Sequence, residues 1–132
     1  MYITKLTTKL NLMRCNTMTI ENFNKVLLTP VAAADLRARI VTQEELQLIY
    51  RTFRGLIDDW PFVTKTQRDC FELYYNMQLT QEKIARFLNI KQSTVNEHIK
   101  KARENYIELV NIIYYCVLWG IDYGVEQERK KE

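Results

Sequence analysis

The sequence predicts an all-α protein, a helical bundle, and three observations carry that expectation. Only 3 Gly and 2 Pro interrupt 132 residues, so few breakers divide the chain. Apolar residues recur at three- and four-residue spacing along most of its length. Hydrophobic residues make up 47%, enough to bury a core and to exclude wholesale disorder. A chain of this length forms one domain, or one small domain with an extension.

The first segment, 1–17, places Ile3, Leu6, Leu10 and Met13 at helical spacing among many Thr and Asn residues with weak caps. A short amphipathic helix and a frayed arm both remain open there, and Met18 is an alternative to Met1 as the natural start. Thr19 can cap a helix over 20–28, with Ile20, Phe23 and Leu27 on one stripe. Thr29 and Pro30 are expected to end it, with Pro30 suiting the first turn of a next helix over 31–40. Thr42 and Glu45 form a capping box, each satisfying a free backbone donor of the other. They open a helix whose apolar stripe is Leu46, Ile49, Tyr50, Phe53 and Leu56; Arg51 and Arg54 lie off it, on a solvated face. Asp58, Asp59, Trp60 and Pro61 close that helix. The expected organisation is therefore a helical region over 1–61 for packing or partner binding, a unit over 62–125, and a charged, solvated tail over 126–132.

Thr64 or Thr66 caps the next helix, which runs to about Met77. Phe71, Leu73, Tyr74 and Met77 should pack on the helix pair beyond it, and Tyr75 should stay partly outside. Thr80 is a good N-cap for a short helix with Ile84 and Leu88 on one face and the small Ala85 beside them. Asn89 tolerates the left-handed conformation that ends a helix. Ile90 plugs the corner, and Val95 and Ile99 face inward from a second helix. Two helices meeting at so tight a corner make a helix-turn-helix, whose second helix can enter the major groove of DNA. After Lys100 the period continues through Ala102, Tyr106, Leu109, Val110, Ile113, Tyr114, Val117 and Leu118, so this helix should run on. The stretch 107–121 is too short, and too interrupted by Glu108 and Asn111, to span a membrane. It is also too apolar to stand alone, so the N-terminal helices and a second subunit should cover it, with a dimer favoured.

Charge points to the same region. Between 62 and 106 eight Lys and Arg face five Asp and Glu, an excess equal to the whole chain's +3. The cysteines, Cys15, Cys70 and Cys116, are odd in number and widely spaced, which argues for reduced thiols in the cytoplasm. The N-terminus does not resemble a secretory signal. No Gly-rich phosphate loop, metal-ligand cluster or nucleophile with a visible base is present, so an enzyme is the poorest fit and no cofactor is expected.

From about Phe62 to Tyr106 the sequence resembles region 4 of bacterial sigma factors and, more loosely, LuxR-type regulators. Arg68, Phe71, Leu73, Tyr74 and Tyr75 carry the first part of the pattern, and Thr80 through Leu88 the second. Ile90, Ser93, Thr94, Val95, His98, Lys101, Ala102 and Arg103 carry the last. Two departures stand out: Asn89 replaces the usual turn Gly, and Lys91 replaces the usual Ser cap, so that this helix either starts raggedly or is capped by Ser93 instead. The resemblance implies a double-stranded DNA-binding transcription regulator of bacterial or phage origin that also touches RNA polymerase.

With Val95 and Ile99 inward, Lys91, Gln92, Ser93, Asn96, Glu97 and Lys100 point outward as candidates for base contacts. Gln92 and Asn96 can bond the N6 and N7 edge of adenine, and Glu97 can accept from cytosine N4. Glu97 could instead pair with Lys100 or Lys101 along the helix. Lys91 and Lys100 suit phosphate or guanine. Thr80 and Gln81 begin a helix whose free N–H groups suit a phosphate, and Arg86, Lys101 and Arg103 flank the groove. His98, the single histidine, is expected to be structural. Two other functions fit the same pattern: a phage small terminase subunit, which would join the motif to oligomerising helices, and a protein-binding module that docks RNA polymerase or another regulator.

Overall fold

A computed structural model describes residues 18–35 and 40–120, and all regular structure among them is helical. Helix α1 begins at Ile20, where the Thr19 hydroxyl accepts from the Asn22 N–H at 3.1 Å. It does not stop at Thr29–Pro30. An α-turn over Ile20–Phe23 widens to a π-turn over Asn24–Leu28 and returns to α geometry over Thr29–Ala33. The Thr29 N–H reaches back five residues to the Asn24 carbonyl, and its hydroxyl donates to the same oxygen at 2.7 Å. The wide turn makes room for the Pro30 ring, and Pro30 needs no donor there, so the expected break becomes a bulge. The expected helix over 31–40 is corrected as well: α1 ends at Ala33, and Ile40 lies outside any helix, 87% exposed.

Helix α2, Gln43–Leu56, starts with both halves of the expected capping box. The Glu45 N–H meets the Thr42 hydroxyl at 3.2 Å, and the Thr42 N–H meets the Glu45 carboxylate at 3.0 Å. Its buried residues are Ile49 and Phe53. Leu56, expected on the buried stripe, is 44% exposed because the chain tightens into a 3-10 turn over Ile57–Asp59 and Ile57 takes the inner place. Arg54 is not merely solvated: its guanidinium lies 5.4 Å from the Tyr50 ring centre.

Helix α3, Lys65–Phe71, runs into a second π-turn over Glu72–Asn76. Thr64 is the cap, paired with Gln67 in a capping box. Helix α4 spans Gln81–Leu88, and helix α5 spans Gln92–Tyr115 before a π-turn over Cys116–Gly120. The second helix of the corner therefore does run on, for 24 residues and about 36 Å.

Two cores divide the work. The larger joins Phe23, Leu27, Ile49, Phe53, Phe71, Tyr106, Leu109, Tyr114 and Leu118, so α1 and α2 cover the inner face of the second half of α5. Phe71 belongs here rather than with the short helix pair, its ring 5.0 Å from that of Tyr106. At the far end the Tyr114 hydroxyl donates to buried Asp35 at 2.6 Å. The smaller core joins Cys70, Leu73, Ile84, Ala85, Val95 and Ile99 beneath the corner. The Trp60 indole N–H donates to the Asn105 carbonyl at 3.2 Å, tying the link before α3 to the middle of α5. The expectations for 1–17, including Ile3, Leu6, Leu10, Met13 and Cys15, and for 121–132 lie outside the described residues.

Candidate nucleic-acid interface

The corner between α4 and α5 is built from local choices. Thr80 caps α4 by accepting from the Lys83 N–H at 3.2 Å. Asn89 ends it in the left-handed region at φ 55 and ψ 48, and the Ile90 N–H returns to the Ala85 carbonyl at 3.0 Å. With Ala85 8% exposed, the short side chain lets α5 approach, and Val95 and Ile99 fill the space below it. Two residues after Asn89, Lys91 is the N-cap of α5 without a side-chain cap bond, so Ser93 stands in the first turn and does not substitute as cap. The first N–H groups of α5 thus have no side-chain partner and point outward with its dipole.

Burial of Val95, Ile99, Ala102 and Tyr106 fixes which side of α5 faces out. Lys91, Gln92, Ser93, Glu97 and Lys100 are exposed, and Asn96 is half-buried at the edge of that face. On α4, Thr80 and Arg86 are exposed and Gln81 is half-buried. Lys101 is exposed and Arg103 is half-buried, one to each side of the outward face of α5. Of the residues expected from the sequence, Gln81, Asn96, Lys100 and Arg103 line one cleft, and two further contacts bear on the set. Arg86 pairs with Glu82 at 3.0 Å, one turn back on an open surface, a contact of about 0.3–0.5 kcal/mol that a stronger partner can displace. Gln81 donates from Nε2 to Asn96 Oδ1 at 3.2 Å, so these two amides form one unit across the corner.

Other chemistry lies inside. Arg68, 9% exposed, donates to the Asp58 carbonyl at 3.1 Å and sits 3.7 Å from its carboxylate, so it ties α3 to the preceding turn and does not face a ligand. Burial, with the Asp69 charge adding to it, pushes the Cys70 thiol up to about 11. Burial also raises the Tyr106 phenol, against the lowering effect of Arg68. His98 is half-buried beside the inward face. Among the described residues no three His, Cys, Asp or Glu side chains converge in a way that could hold a metal ion. No helix among them is long and apolar enough to cross a membrane.

Two features are not foreshadowed by the sequence. Gln78 adopts a left-handed conformation at φ 57, ending the π-turn while the Leu79 N–H returns to the Leu73 carbonyl at 2.9 Å. No Gly or Asn stands there to signal it. Tyr74, expected only as packing, is half-exposed and lines a cleft beside α5 with Tyr75, Gln81, Asn96 and Arg103. Both rings of the pair pack partly buried against the smaller core.

Compared with known families, residues 63–105 match the one described as Sigma-70, region 4. That stretch, about a third of the chain, is a sigma-region-4-like helix-turn-helix unit, and such units bind DNA. Comparison with curated proteins and with solved structures finds no match.

Proposed function

We propose that this chain, carrying a sigma-region-4-like helix-turn-helix unit, is a sequence-specific double-stranded DNA-binding transcription regulator that reads the major groove with α5 from about Lys91. The observation that carries the reading is the outward face of α5. Over its first turns Val95, Ile99 and Ala102 are taken up by the two cores, and what faces out there is Lys91, Gln92, Ser93, Glu97 and Lys100, with Asn96 at the edge. Such a face offers amide, hydroxyl, ammonium and carboxylate groups, the kinds that pair with base edges in the major groove. Thr80, Gln81, Arg86, Lys101 and Arg103 then flank it as phosphate contacts that set register.

The length of α5 suggests how such a reader is held. Its second half is covered on one side by α1 and α2, whereas Ile112 and Tyr115 are 53% and 38% exposed. We read that uncovered strip as the place where two copies meet, so that two reading helices address two half-sites. Contact with RNA polymerase is the partner that the region 4 likeness favours.

Selection of duplexes from a random pool with the purified chain tests the reading. A short enriched motif, repeated with two-fold symmetry at a fixed spacing, is the expected result. Retention of duplexes without enrichment, or no retention at low salt, contradicts it. Light scattering on the same sample separates a dimer from the many-subunit ring that a packaging protein would form.

A further inference from the structure

A half-open cleft of about 260 Å³ lies between the second to fourth turns of α5, the π-turn that follows α3 and the start of α4. Its walls include Tyr74, Gln81, Asn96, Lys100 and Arg103, with Ile99 in its floor. It is smaller than the roughly 300–1,000 Å³ pockets that enclose drug-sized molecules. Asn96, Lys100 and Arg103 follow one another along one side of α5 at helical spacing, over about 10 Å. The Gln81–Asn96 hydrogen bond marks the end nearest the base-reading residues.

The polar groups along this cleft are mostly donors. Among the described residues neither Lys100 nor Arg103 has a carboxylate within 4.0 Å, although Glu104 lies at the far rim. Arg103 is close enough for its charge to lower the Tyr75 phenol against the larger, raising effect of burial. The Tyr74 and Tyr75 rings, 4.9 Å apart and edge to face, hold the phenol side of the cleft in place. Two cations without carboxylate partners, beside a phenol and an amide, suit an anionic ligand with several acceptor oxygens.

Resting on the DNA-binding reading above, we infer that the cleft seats one backbone phosphodiester of the bound duplex, held by Lys100, Arg103 and the Tyr74 hydroxyl. Lys100 then acts on the strand and not on a base, and Tyr74 becomes a contact residue. The seat lies beside Asn96, so the strand is fixed next to the amide that reads it. Gln81 keeps that amide from turning towards the phosphate.

The test is a binding titration of the full chain against a selected duplex and an unrelated one, between about 50 and 200 mM salt. The variants are K100Q, R103Q and Y74F. K100Q and R103Q should weaken both duplexes by the same factor and each reduce the salt slope by about 0.9, which makes the affinity lost over that range about three- to fourfold smaller. Y74F should weaken both duplexes equally with no change of slope. Among duplexes that each carry one neutral methylphosphonate, the wild type should be penalised at every contacted phosphate, and R103Q should lose the penalty only at the phosphate of the seat in each half-site. Unchanged slopes in both charge variants, or a K100Q effect confined to the selected duplex, would overturn the seat and leave the DNA-binding reading standing. Failure of the wild type to bind any duplex at low salt would instead sink that reading, and the seat with it.

Discussion

At the scale of single residues, burial decides which side chains are available for chemistry. Cys70 is fully buried under the corner, whereas Cys116 is exposed at the start of the π-turn after α5. The thiolate is the reactive form, so Cys70 should resist thiol reagents in the folded protein while Cys116 is modified quickly. A Cys15→Ser background makes the two rates readable by mass spectrometry; equal rates would contradict the packing of the smaller core. The same burial gives a pH dependence with a definite sign. Because the folded thiol holds its proton to about 11 and an ordinary thiol only to 9.0, the unfolded chain binds fewer protons in that window. The stabilising effect is therefore complete below pH 9 and lost as the pH rises towards 11. Urea unfolding of wild type and Cys70→Ala should show the fall in the wild type and a shallower one in the variant.

The caps show how far an element can be read locally. Thr19, Thr42 with Glu45, and Thr80 all cap where the sequence placed them, and Thr64 caps as one of the two threonines it offered, because each depends on three or four neighbours only. The left-handed Asn89 was legible for the same reason. What was not legible depends on distant contacts. Pro30 reads as a break, yet the chain passes it in a π-turn because Val26, Leu27, Leu28 and Val31 are all needed in the larger core. Phe71 and Leu73 are two residues apart and face nearly opposite sides of the helix, so they serve different cores, and only the fold shows that a second core lies on the Phe71 side. Gly55 offers a direct test at this scale. It lies in the last turn of α2, its φ is negative, and a β-carbon there would meet nothing within 4 Å. Gly55→Ala should then stabilise the protein by about 0.4–1 kcal/mol, chiefly by restricting the unfolded chain. A loss of stability in urea or thermal melts would mean that the exposed side of α2 is covered in solution.

Taken whole, the molecule is organised by α5, which carries exposed polar groups on its first turns and packs into the larger core on its last. The sequence made that continuity visible through the unbroken apolar period from Val95 to Leu118, and the corner through Ala85, Asn89 and Ile90. The phosphate seat proposed beside Asn96 was not visible, because Tyr74, Gln81 and Arg103 come from three elements that only the fold brings together. Tyr106 joins the two halves, its ring lying against Phe53 from α2 at 5.7 Å and Phe71 from α3 at 5.0 Å. Tyr106→Ala should cost about 3–5 kcal/mol, a large share of the roughly 5–15 kcal/mol available to a small domain. Unfolding of the wild type should be a single transition by fluorescence and by circular dichroism, since the N-terminal helices and the helix-turn-helix share that core. Two separate transitions would contradict it.

Recognition of base pairs by the outward face of α5 is the central claim, and one comparison reaches it most directly: the affinity of wild type and Asn96→Ala for a selected duplex and for a scrambled one. The predicted result is a loss of about 1–3 kcal/mol on the selected duplex and almost none on the scrambled one. Equal losses on both, or no loss on either, would contradict it.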